Sequence, residues 1–78
     1  MEWISIKDRL PEKNGAYLIN EAFTHTNHIS ISRWTPEYKS YFNNRLNGKA
    51  VWYRYGEFGD YEIARVTHWM PLPEPPKN

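Results

Sequence analysis

Short alternating runs of apolar and polar residues, separated by turn formers, dominate this chain. Trp3-Ile4-Ser5-Ile6 alternates and predicts a first strand. Asp8 to Gly15 contains Pro11, Asn14 and Gly15 and reads as a loop. Ala16 to Glu21 predicts a second strand, with Tyr17 and Ile19 on one face and Ala16 and Leu18 on the other. A polar connection follows from Phe23 to Asn27. The best alternation runs from His28 to Trp34: Ile29 and Ile31 point one way, and His28, Ser30 and Ser32 the other. Trp34 falls on the serine side. That parity predicts either a bulge or an aromatic partner across the strand.

Thr35 to Leu46 supports two readings. Thr35 can cap a helix, Pro36 suits its first position, and Glu37 complements the N-terminal dipole. Tyr38, Tyr41, Phe42 and Leu46 would then share one helical face, and the pattern leans toward a short helix over 36–46. The rival is an irregular excursion around a hairpin, because Tyr and Phe favour strands and Asn43-Asn44 favours a turn. Asn47-Gly48 is a turn. Val51 to Tyr55 predicts a strand with Val51, Tyr53 and Tyr55 opposite Trp52 and Arg54. Gly56 to Asp60 reads as a loop and Ile63 to Met70 as the last strand. The expected fold is mainly β: a small curved antiparallel sheet or an SH3-like partial barrel of four to five short strands. One short helix, and hence an α+β arrangement, is the alternative.

Length changes the picture by limiting the core. Seventy-eight residues suit one domain, expected over 1–73, with 74–78 as a Pro-rich tail. Fourteen Leu, Ile, Val and Met stand against thirteen aromatics, four of them Trp. Each buried aromatic removes about 150–250 Å² from water. With so few aliphatics, three of the four Trp are expected to be structural. A net charge of +1 argues against a phosphate-driven nucleic-acid binder. The chain has no cysteine, so disulfides and thiolate metal sites are excluded, which fits a reducing cytoplasm. No apolar run approaches membrane-spanning length, and residues 1–20 show no secretory signal.

Chemistry is sparse. His25 and His28 with His68 could bind a metal if folding united them, but the spacing is common in polar loops, and no metal or cofactor is expected. No nucleophile elbow, phosphate loop or H-E-x-x-H motif occurs, and no catalytic residues are expected. Trp52-Tyr53-Arg54-Tyr55 interleaves aromatic and basic residues, as platforms for single-stranded nucleic acid do. The neighbouring Glu57, Asp60 and Glu62 offset that basic field. The candidate binding surface is therefore Tyr38, Tyr41, Phe42, Trp52, Arg54, Phe58 and Tyr61, with a protein partner favoured over nucleic acid and no membrane partner.

The two ends carry one specific pattern. Trp3, Ile4, Leu10 and Pro11 open the chain. Thr67, His68, Trp69, Met70, Pro71, Leu72 and Pro73 lead into Pro75 and Pro76 near its end. Together they resemble the domain of unknown function 551, a family of small proteins of tailed phages and prophages. The middle, from Glu21 to Tyr61, carries no motif of that family. The resemblance implies a phage or prophage accessory protein in a bacterial cytoplasm. It suggests a non-catalytic role binding a host or phage protein, with inhibition of host machinery or defence as one form. The alternative reading is a single-stranded nucleic-acid module. In the closing motif, Trp69 is expected in the core, His68 is expected to tie the last strand to a neighbour, and Met70 and Leu72 are expected to pack on the domain.

Overall fold

The computed structural model describes residues 2–40 and 45–73. Six strands form: β1 (Ile4–Ser5), β2 (Gly15–Ala22), β3 (Asn27–Thr35), β4 (Val51–Gly56), β5 (Gly59–Glu62) and β6 (Val66–Pro71). They make one antiparallel sheet in the order β1-β6-β2-β3-β4-β5. The two ends of the chain meet, since Ile4 pairs with Trp69 and Ser5 with His68. The sheet nevertheless stays open, because β1 and β5 lie at opposite edges. It is a sheet and not a closed barrel, and it has six strands where four to five were expected.

The extra strand comes from the region read as a Gly56–Asp60 loop. Gly56 pairs with Gly59, leaving only Glu57 and Phe58 in the turn. Gly59 adopts φ 109°, a conformation that L side chains rarely take. Ile63 to Arg65 falls outside β6, which begins at Val66.

The expected helix is absent among the described residues. Thr35 does bend the chain as a cap would: its Oγ1 accepts from Glu37 N at 3.2 Å. Tyr38 then departs from helical bonding. Its N–H donates to Lys49 O at 2.9 Å, and Gly48 N–H returns to Tyr38 O at 2.8 Å. The Asn47 side chain bonds both Ser40 N and Ser40 O, closing the neck of the excursion. Tyr38 and Leu46 do bury together, but across this loop and against Val51. Tyr41 and Phe42 lie outside the described residues, as do residues 74–78.

Paired residues in an antiparallel sheet share a face. One face, here the inner one, carries the core: Ile19, Trp34, Trp52, Ile63, Val66 and Trp69, flanked by Ile4, Ile6 and Tyr17. Trp34 does find an aromatic across the strand, pairing with Trp52 at 4.8 Å between rings. The loop after β1 covers these rings and is held by their polar atoms. Trp69 Nε1 donates to Arg9 O, Trp34 Nε1 to Pro11 O, and Tyr17 Oη to Lys13 O, all at 2.9–3.0 Å. Three of the four Trp are thus buried, and Trp3 is not.

The outer face is partly bare. Tyr38 and Leu46, from the connection between β3 and β4, cover one corner by packing on Val51 and Tyr53. Ile29 (61% exposed) and Ile31 (55%) lie on the uncovered part, paired with Asn20 and Leu18.

Candidate binding surfaces

Alternation along β4 separates the residues expected to act together. Trp52 turns to the inner face and is buried, so it offers no stacking surface. Tyr38 is likewise buried; its Oη donates to Asp60 Oδ2 at 2.5 Å. That hydrogen bond, reinforced by burial, holds the Tyr38 phenol above its ordinary range. Arg54 is committed within the fold. Its guanidinium bonds Glu21 Oε1 at 2.7 Å, Ile31 O at 3.0 Å, and Ser30 Oγ. Ser30 Oγ also reaches Glu21 Oε1 at 2.8 Å. Burial alone would raise the Glu21 carboxyl, but the bonds from Arg54 and Ser30 and the Arg54 charge outweigh it, leaving it below the usual range.

Phe58 and Tyr61, the other described residues of the expected surface, are accessible. Phe58, at the tip of the β4–β5 hairpin, is 99% exposed, and Tyr61 is exposed on β5. Tyr55, part of the Trp52–Tyr55 aromatic and basic run, is 84% exposed. Glu57, Asp60 and Glu62 belong to the same hairpin, with Glu57 and Glu62 exposed. The hairpin therefore presents three aromatics among acids, while its one arginine, which pairs with Tyr61 across the hairpin, is turned to Glu21.

The closing motif is divided between core and surface. Trp69 and Met70 are buried; Pro71, Leu72 and Pro73 are exposed, against the expectation that Leu72 packs on the domain. His68 bonds within its own strand, Nδ1 to Thr67 Oγ1 at 3.0 Å. Thr67 provides the tie to β2, through Asn20. At the other end Ile4 is partly buried and Leu10 exposed, and Pro11 is buried with its carbonyl on Trp34. Among the described residues, no three His, Asp or Glu side chains cluster as metal ligands. No helix is long and apolar enough to cross a membrane.

A family profile described as "Protein of unknown function (DUF551)" matches residues 2–77. The chain belongs to this family. A protein of Salmonella phage P22, described as an uncharacterized 7.8 kDa protein in the ral-gp17 intergenic region, is 30% identical over 76 residues, covering 97% of each chain. No solved structure matches. The DUF551 match spans the β3–β5 region as well as the ends, so the hairpin and the open outer face lie within the family domain.

Proposed function

We propose that this DUF551 protein is a non-catalytic accessory protein that binds a host or phage protein in the bacterial cytoplasm. The observation that carries the reading is the exposed aromatic hairpin, Tyr55, Phe58 and Tyr61, set among Glu57, Asp60 and Glu62. Aromatic residues are enriched at the centres of protein interfaces and are frequent binding hot spots. A full-length polyanion is disfavoured at the same place, because nucleic-acid platforms pair aromatics with Lys and Arg, and Arg54 is held by Glu21. Phage membership of a relative supports a host-directed role, in which a stoichiometric binder inhibits host machinery or defence.

The test compares tagged wild type with Phe58→Ser in pull-downs from nuclease-treated bacterial lysate, with or without phage infection. A protein retained in stoichiometric amounts by wild type and lost by the variant supports the reading. Identical captures, or binding of wild type to a labelled single-stranded oligonucleotide at physiological salt instead, would overturn it.

A further inference from the structure

A different part of the molecule carries a second surface, independent of the hairpin reading. Where β1, β6, β2 and β3 meet, a groove of about 520 Å³ is lined by Trp3, Asn20, Asn27, Thr67 and His68. Its volume falls within the range of about 300–1,000 Å³ typical of small-molecule sites.

A bulge builds this groove. The β2–β6 register passes from Asn20 opposite His68 to Glu21 opposite Val66, leaving Thr67 as the extra residue. Thr67 is thereby brought back onto Asn20. Asn20 Nδ2 donates to Thr67 Oγ1 at 2.9 Å and to Asn27 Oδ1 at 3.1 Å. Thr67 Oγ1 donates to Asn20 O at 3.3 Å and lies 3.0 Å from His68 Nδ1. These bonds use both Nδ2 hydrogens of Asn20 and the Thr67 hydroxyl hydrogen. They fix the Asn20 amide orientation.

What stays unbonded among the described residues is a set of complementary groups. Asn20 Oδ1 is an acceptor and Asn27 Nδ2 a donor, and His68 Nε2 takes either role with its tautomer. Beside them stands Trp3, 39% exposed and the one Trp outside the core. Among the described residues, no Asp, Glu, Lys or Arg lines the groove.

An exposed indole, side-chain amides and no charge suit a neutral sugar. The indole face packs on the C–H face of a pyranose, and the amides take its polar groups. A donor and an acceptor on two amides joined by a hydrogen bond match the carbonyl and N–H of an acetamido substituent. A nucleotide fits less well, because its phosphate would find no Arg or Lys in the lining. We infer that the Trp3–Asn20–Asn27–His68 groove binds a neutral saccharide bearing an acetamido group.

The test is a proton–nitrogen NMR titration of the full-length labelled chain with N,N′-diacetylchitobiose, maltose and AMP in parallel. Diacetylchitobiose should shift the Trp3 indole N–H and the Asn20 and Asn27 side-chain amides, with maltose and AMP giving much weaker responses. Trp3→Ala and Asn27→Ala should each weaken binding at least about tenfold, the equivalent of losing one good contact. Asn27 is exposed, so its variant carries the test even if Trp3→Ala unfolds, and the dispersed spectrum reports folding directly. No shift up to about 10 mM, well past the weak end of specific binding, would overturn the site. So would equal shifts with AMP, and equal shifts with maltose would overturn the acetamido assignment.

Discussion

Truncating Trp69 to alanine should bring this domain to the edge of unfolding. Trp69 is buried between Ile4 and Ile19, its partners on the two flanking strands. Its ring stands edge-on to Tyr17 at 5.3 Å and 84°. Removing a buried Trp side chain costs about 3–5 kcal/mol. The aromatic pair adds about 0.5–1.5 kcal/mol beyond buried area. The lost N–H bond to Arg9 O adds little, because Arg9 is exposed and water can replace the donor. The expected loss is therefore about 4–6 kcal/mol, against a total stability of about 4–12 kcal/mol for a chain of this length. Trp69→Phe separates packing from the hydrogen bond. It keeps a ring beside Tyr17 and loses the N–H, and should cost about 1–2 kcal/mol. Urea unfolding followed by far-UV circular dichroism measures both, with an unchanged slope showing that the same surface is exposed. A Trp69→Ala loss below about 1 kcal/mol would refute the core role. Equal losses in the two variants would show that the anchor to Arg9, and not ring packing, holds β6.

Other perturbations give separable outcomes. The Arg54 and Ser30 bonds hold the Glu21 carboxyl below its ordinary value in the folded protein, so its stabilisation is complete above that ordinary value and lost as pH falls through the lower folded one. Arg54→Met leaves Glu21 buried without its cation and should cost about 2–3 kcal/mol at neutral pH; this is under the usual cost of breaking a buried pair because Arg54 is 28% exposed. In that variant burial should push Glu21 up, so stability should rise on mild acidification, which unfolding curves between pH 7 and pH 5 would show. Gly56→Ala should destabilise by about 1–3 kcal/mol, since its Cβ would meet the Tyr61 ring at 2.8 Å and Gly59 O at 3.0 Å; a melting point within a degree of wild type would contradict this. Phe58→Ser should leave the melting point unchanged to within about 0.5 kcal/mol of stability, as expected for an exposed side chain, and a clear drop would mean that Phe58 packs after all.

Much of the strand plan was legible because alternation survives where one face is buried. β2, β3 and β4 fall on runs that alternate in sequence, β6 falls on a β-branched and aromatic run, and Asn47-Gly48 turns as its residues predict, with Gly48 at φ 82°. Alternation says which residues share a face but not which face is covered. On β3 the isoleucines took the open side, and Ser32 was buried among aromatics. Tyr17, Trp34 and Trp52 are bulky, and a small residue between them leaves room for their rings; the hydroxyl of Ser32 is satisfied by Arg33 O and Tyr53 O. β5 was missed because Gly59, Asp60 and Glu62 carry no hydrophobic signal, and its pairing is set by the tight turn before it. The helix was over-read because Thr35-Pro36-Glu37 is a start signal whatever follows. The bonds of Tyr38 to Lys49 and Gly48 are long-range, and no local propensity encodes them.

The same limit decides what could be seen of the candidate surfaces. Phe58 and Tyr61 were identifiable because aromatic residues in a short, charged hairpin have few ways to be buried. The groove at Trp3 was not, since its residues come from four separate stretches and meet through a one-residue bulge at Thr67. Thr67-His68-Trp69 illustrates how one motif can serve both faces. Trp69 fills the inner core, whereas the bulge sets Thr67 against Asn20 and places His68 in the groove. A slip of one residue in β6 would move Trp69 to the outer face and dissolve the groove together with the core. Stability and the groove therefore rest on one register, and the bulge is the feature that couples them. The β4–β5 turn carrying Phe58 lies at the edge of the sheet opposite β1, so its exposed tip can vary without disturbing that coupling.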